Sequence, residues 1–388
     1  MKHRSNRLAV YGIRLVNSTR GGVLSPLMPL FIYEISHRSF MLSSISSNSG
    51  VIVTVILSPL AGVLVDRLGR RKLLIAASGV ASVVTGYLIS MVEDYRQYIL
   101  VSLAGSAAGL AGGLALSSLI ADSFDRERRG RMLGFYGLLG TAGSLLGNLM
   151  SAYAYRILGL RGAIRAVSIA GLLPVAVALL LIEDKWEGAS RSKVSWNPFS
   201  SLSDSELLRV FAVNSLMRTP QLMCGALYAV YFVEELGGSM EQWALLTALT
   251  TAAAFTYVPY GYLVDRLGRL KVLYIAAAGW AVLYTGYAVS RDPATFAAFY
   301  IIPIGNAYSL AITSMLYDAT DGKERGKLLG SYSSLNSLYT LVAATLGGLL
   351  ADVAGPRTVF TISAVLYAAS IPLLGKLAPR NAGRARCI

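Results

Sequence analysis

Charge is scarce in this chain of 388 residues: 14% are charged and 54% are apolar, where soluble domains carry roughly 25% charged residues. That excludes an ordinary water-soluble globule and implies a membrane protein. Cysteine is limited to Cys224 and Cys387, which provide neither a disulfide framework nor thiolate metal-ligand spacing. His3 and His37 are isolated, so neither a metal nor a cofactor is expected. The chain also lacks a phosphate-binding glycine loop and a nucleophile placed beside a base. It is therefore not expected to be an enzyme.

What is present is apolar sequence in long runs. Crossing roughly 30 Å of hydrocarbon takes about 20 mainly apolar helical residues. Twelve such stretches are expected, starting near Leu8, Leu42, Leu73, Tyr98, Arg131 and Ala163, then near Leu207, Gln242, Val272, Ala294, Leu328 and Arg357. The residues before Leu8 are too short a lead for a cleavable signal. With both termini cytoplasmic, most of the 35 Lys and Arg residues fall inside, as the positive-inside rule requires. Arg156, Arg161 and Arg165 dissent. The net charge of +14 would suggest nucleic acid in a soluble protein, but here anionic inner-leaflet lipid accounts for it, and no nucleic-acid partner is expected.

The sequence is internally duplicated. Gly62-Val63-Leu64-Val65-Asp66-Arg67-Leu68-Gly69-Arg70 returns as Gly261-Tyr262-Leu263-Val264-Asp265-Arg266-Leu267-Gly268-Arg269, with Lys72 and Lys271 closing the copies in one register. Asp122, Asp125, Arg129 and Arg131 after the fourth stretch correspond to Asp318, Asp321, Arg325 and Lys327 after the tenth. The expected organisation is an all-α membrane protein of twelve transmembrane helices in two pseudo-symmetric six-helix bundles. Residues 1–183 form the first, 184–206 a cytoplasmic linker, and 207–388 the second with a basic tail.

The repeated Gly-x-Leu-x-Asp-Arg-x-Gly-Arg-x-Lys loop resembles the signature loop of the major facilitator superfamily, and with the helix count the resemblance covers essentially the whole chain. It implies two bundles that rock about a central cavity, the arrangement with which this superfamily illustrates repeat-built transporters. On the residues themselves, Gly62 and Gly261 suit close helix approach in lipid, and Asp66 and Asp265 can cap a helix or pair with Arg. The expectation is a conformational latch built from Gly62, Asp66, Arg67, Gly69 and Arg70 and repeated in Gly261, Asp265, Arg266, Gly268 and Arg269. Asp122, Arg129, Asp318 and Arg325 form its cytoplasmic charge network.

Charges within the first and seventh stretches point to the solute. Arg14, Asn17 and Arg20 are spaced three apart on one helix face, and Asn214 and Arg218 repeat the pattern. From their helix starts, Arg20 lies roughly 18 Å deep, Arg218 roughly 16 Å and Arg14 roughly 9 Å. None of the 21 acids lies at matching depth. An arginine at the bilayer centre is costly without a partner, so Arg20 and Arg218 are candidate anion clamps, with structural bonding to backbone carbonyls as the alternative. Asn17, Asn214 and Arg14 are further candidates. Tyrosines are numerous, 22 against 11 phenylalanines, and Tyr228, Tyr231, Tyr257, Tyr260, Tyr308 and Tyr339 fall within spans.

Pro26-Leu27-Met28-Pro29 and the spacing of Gly134, Gly143 and Gly147 look like drug:proton antiporter motifs, but Asn148 replaces the antiporter proline and Gly105 the proton-relay arginine. The expected function is secondary transport of a small anionic organic solute across the cytoplasmic membrane by alternating access, with room for a coupling ion and a monomeric protein in the bilayer. Proton-coupled multidrug efflux is the alternative.

Overall fold

A computed structural model of the chain describes residues 2–68, 70–124, 129–184, 205–319 and 325–377. Every regular element among them is helical: α1 (Lys2–Ile35), α2 (Phe40–Leu68), α3 (Arg71–Ile89), α4 (Tyr95–Ser123), α5 (Arg129–Ile169), α6 (Leu172–Leu181), α7 (Ser205–Met223), α8 (Leu227–Val230), α9 (Met240–Ala252), α10 (Tyr257–Leu267), α11 (Arg269–Val289), α12 (Pro293–Tyr300), α13 (Ile304–Ala319), α14 (Arg325–Ala354) and α15 (Pro356–Leu377). Among the described residues, eight stretches are long and apolar enough to cross a membrane. One of these, Arg131–Leu181, runs 51 residues and breaks at Gly159, whose φ of 67° is non-helical. That break separates the expected fifth and sixth helices. The protein is a multi-pass membrane protein.

Its surface fits lipid as solvent. Leu180, Val353 and Val258 are 81%, 79% and 67% exposed, while Ser36, Ser46, Ser90, Ser151, Ser290 and Ser363 are almost fully buried. Polar groups turn inward because hydrocarbon offers them no hydrogen bonds.

The chain divides into two compact units. One comprises Met1–Arg38, Ser46–Ser195 and Ser239–Thr251; the other comprises Ser39–Ile45, Trp196–Gly238 and Ala252–Ile388. Linker residues 185–204 lie outside the described residues.

In the first unit α1 lies directly on α5. A Cβ built on Gly147 would sit 2.1 Å from Thr19 O, and one on Gly22 would sit 2.3 Å from Ser144 O. Small residues are what let helix backbones meet in lipid, where packing takes over from the hydrophobic effect. At one end of the unit, the Asp184 carboxylate accepts from the Lys72 backbone N–H at 3.0 Å, capping α3, while Asn6 and Glu183 exchange two hydrogen bonds.

The expected eighth helix is α9 and α10 joined by a tight 3₁₀ turn, Ala253–Thr256, which lies in the second unit. Asn306 of α13 donates to Ala253 O at 3.0 Å and to Thr256 Oγ1 at 2.9 Å, satisfying a carbonyl at the break. Tyrosines fill this unit's interior. Tyr231, Tyr284 and Tyr367 are buried with Phe296 and Phe360 in a continuous set of ring contacts.

Candidate functional site

In the second unit, α7, α13 and α14 converge on Arg218. Phe211, Asn214, Ser215 and Arg218 stand at i, i+3, i+4 and i+7 along one face of α7, and Tyr332, Asn336 and Tyr339 at i, i+4 and i+7 on α14. The Asn214 amide donates to Asn336 Oδ1 at 3.0 Å and accepts from the Tyr308 hydroxyl at 2.6 Å. Tyr339 donates to Ser215 O at 2.8 Å and also meets the Thr219 hydroxyl. Phe211 packs edge-on to Tyr332 and Tyr339, with ring centroids 6.0 and 6.2 Å apart.

Arg218 stands apart in this network. It is half-buried, and among the described residues it forms neither an ion pair nor a hydrogen bond. On the same stretch of α7, Tyr308 bonds to Asn214 and Tyr339 to Ser215 O and the Thr219 hydroxyl. A guanidinium carries five N–H donors and no acceptor, so these atoms are open to an acceptor from outside.

The arginines of α1, in the first unit, are placed differently. Arg20 Nε donates to Val167 O at 2.9 Å and Nη1 to Asn17 Oδ1 at 3.2 Å, and the guanidinium fills the space over Gly171. Arg14 lies over the Tyr136 ring, 4.9 Å from its centroid, against Gly140, and its Nε is buried without a partner. The structure thus brings Asn17 to Arg20, and Asn214 to the surroundings of Arg218.

Of the repeated motif, the second copy is the better described. Gly268 has φ 84°, its N–H bonds to Val264 O at 3.0 Å, and the chain reverses there into α11. Only glycine adopts that conformation readily. A Cβ at Gly261 would meet nothing within 4 Å, so close packing is not what this glycine serves here. Asp265 and Arg266 are exposed, and Arg269 opens α11. In the first copy Arg70 precedes α3 and is exposed. Gly69 and the side chains of Gly62, Asp66 and Arg67 lie outside the described residues, as do those of Arg129, Asp318 and Arg325. Asp122 pairs with Arg71 at 2.5 Å; an ion pair as exposed as this contributes about 0 to 1 kcal/mol.

Two polar residues hold helices in ways their sequence neighbourhood does not announce. Asn148, standing where antiporters carry proline, is buried and donates to Thr251 Oγ1 at 2.7 Å and Thr247 O at 3.3 Å. Asp352 accepts from Ser39 Oγ and from the backbone N–H of Phe40, both at 2.6 Å, and from that of Met41 at 3.1 Å, capping the first turn of α2. The only signal for Asp352 was that the first turn of a helix needs acceptors.

Comparison with known proteins places this geometry in a family. The profile of the Major Facilitator Superfamily matches residues 10–233 and 221–386. A class G tetracycline resistance protein of Vibrio anguillarum is 26% identical over 91% of this chain and 93% of its own length. The multidrug resistance protein MdtG of Escherichia fergusonii is 23% identical over 88% and 86%. Among solved structures, the nucleoside transporter NupG superposes with a TM-score of 0.76 at 12% identity, over 96% of this chain and 98% of that one. With a duplicated signature loop, an all-helical membrane fold and a family profile spanning both halves, the chain belongs to the major facilitator superfamily.

Proposed function

We propose that this protein is a secondary transporter that moves a small organic anion across the cytoplasmic membrane by alternating access, with the anion docking on Arg218. The observation that carries the reading is the contrast among the intramembrane arginines. Arg20 is occupied by Val167 O and Asn17, and Arg14 lies on Tyr136, whereas Arg218 has open donors near Tyr308 and Tyr339, which bond to its helix neighbours Asn214 and Ser215. A planar fork of this kind suits carboxylate or phosphate. Asn214 orients the site through Tyr308 and Asn336, and Arg20, Asn17 and Arg14 brace the first unit. The motif loops act as the conformational latch, Asp265 and Arg266 in one copy and Asp66 and Arg67 in the other, and both termini are cytoplasmic.

A second reading, proton-coupled drug export, is favoured by the relatives, which are named for multidrug and tetracycline resistance. Against it stands the positive charge of Arg218, which would repel lipophilic cations, and the want of any acid at the depth of that arginine.

The test is thermal stabilisation of purified protein by a panel of organic anions and cationic drugs, followed by counterflow in liposomes. Stabilisation by anions that Arg218→Gln abolishes supports the proposal. Stabilisation by cationic drugs alone, unchanged or improved in Arg218→Gln, would establish the export reading instead.

A further inference from the structure

We infer that the solute is an aryl anion: one acidic group joined to an aromatic body, and not a polyol, a sugar phosphate or a purely aliphatic acid. This rests on the reading that Arg218 anchors the solute, and it concerns what lies beside the anchor.

Most of the polar groups around Arg218 are already engaged with one another, and Ser215 Oγ, which has no partner, is buried out of reach. Asn214 uses its oxygen for Tyr308 and its nitrogen for Asn336, and Tyr339 donates to Ser215 O. A solute with many hydroxyls would find few open partners here, and burying its unmatched polar groups would count against it. The open donors belong to Arg218, which calls for one compact anionic group.

Beyond that cation the wall turns aromatic. Phe211 and Arg218 are seven residues apart, so they share a face of α7 with a rise of roughly 10 Å between them. Tyr332 and Tyr339 have the same spacing on α14, and Phe211 meets both, at interplanar angles of 89° and 74°. Tyr339 also bonds to Ser215 O and meets the Thr219 hydroxyl, on either side of Arg218 along α7. Guanidinium and rings therefore form one continuous strip. Phe211 and Tyr339 are only half-buried, leaving ring surface for a ligand. An aromatic body on this strip gains the geometric preference of ring pairs over a saturated body of like shape, about two- to tenfold in affinity.

The experiment uses matched probes on the purified full chain: 3-phenylpropionate, its saturated counterpart 3-cyclohexylpropionate, and neutral 3-phenylpropanol, with benzoate and 2-naphthoate and their saturated counterparts to vary ring size. Binding is read by thermal stabilisation and by competition in counterflow. The aryl acids are expected to bind about two- to tenfold more tightly than their saturated partners, and the alcohol more weakly than either. Phe211→Leu should remove the aryl advantage while leaving the saturated acid's affinity in place, and Phe211→Tyr should restore it. Equal binding of aryl and saturated acids, abolished for both by Arg218→Gln, overturns the aryl class and leaves the anion anchor standing. Equal binding of acid and alcohol, indifferent to Arg218→Gln, overturns the anchor as well, as does a lack of response to every aryl acid. Melting of unliganded Phe211→Leu separates lost recognition from lost folding.

Discussion

Arg161 and Arg357 do the same work in the two halves of the chain. Each follows by two residues a glycine of positive φ, Gly159 at 67° and Gly355 at 81°, and each donates to the carbonyl of the serine that ends a long helix. Arg161 Nη1 reaches Ser90 O at 3.5 Å and Val92 O at 2.6 Å after α3; Arg357 Nη2 reaches Ser290 O at 3.4 Å after α11, while its Nε meets Tyr231 Oη at 3.1 Å. Arg165 adds a bond to Ser90 Oγ at 3.3 Å. The last carbonyls of a helix have no partner within it, and a cation there also suits the helix dipole. Arg161 and Arg165 thus have a structural use at a helix end that is independent of the positive-inside pattern.

Arg161→Gln and Arg357→Gln are therefore expected to destabilise the protein by about 1.5 to 3 kcal/mol each, the usual worth of a hydrogen bond from a charged group. Orientation in the membrane should not change. Thermal melting in detergent, with protease accessibility of the termini in vesicles, checks both statements.

Asp352 supplies a second structural prediction. Its carboxylate holds the first turn of α2 through Ser39, Phe40 and Met41, and a lost cap of this kind costs about 0.5 to 2 kcal/mol. In Asp352→Ala, hydrogen exchange at the amides of Phe40 and Met41 should speed up, with less change in the middle of α14. Asp352→Asn, which keeps an acceptor, should be intermediate. Unaltered exchange in Asp352→Ala would mean that the cap is dispensable.

The duplication was legible in the sequence, and so was the membrane class, because both rest on patterns: a repeated loop and long apolar runs. The candidate site at Arg218 was partly legible. Its depth on α7 and the lack of an acid at that depth marked it out, but depth alone could not distinguish Arg218 from Arg20. The difference is tertiary, since Val167 O comes from α5 and local sequence does not show that it approaches α1. The repeat marked Gly261 and Gly268 alike, and it could not show that the backbone conformation requiring glycine is at Gly268 while a Cβ at Gly261 would meet nothing within 4 Å. Asp352 and Ser39 are 313 residues apart, and no periodicity connects them.

The caps of α4 and α12 give a pH dependence. Asp94 lies below the ordinary carboxylate range chiefly because its side chain accepts the Arg96 backbone N–H, with His37 also bonded to it; Asp292 is lowered chiefly by the Thr295 hydroxyl and backbone N–H. A carboxylate depressed in the folded state contributes stability above its unfolded pKa and loses it as pH falls through the lowered value. The melting temperature should therefore fall in acid below about pH 4, and the Asp94→Asn, Asp292→Asn double variant should show a shallower acid limb. An acid limb of unchanged slope would assign the loss to other groups.

The closest helix contacts give the last prediction. Gly147 meets the backbone of α1 at Thr19 O, where a Cβ would come to 2.1 Å; Gly347, 200 positions later, meets the end of α7 at Met223 O, where it would come to 2.2 Å. Neither obstacle is a side chain that can rotate away, so Gly147→Ala and Gly347→Ala must push whole helices apart. Overpacking of this sort costs about 1 to 3 kcal/mol, more than the gain of up to about 1 kcal/mol that alanine brings to a helix. Gly134→Ala is the control, because a Cβ there meets nothing within 4 Å and only the propensity term remains. Melting temperatures should fall for the first two variants and stay level or rise for the third. If all three shift alike, helix propensity and not backbone contact governs these positions.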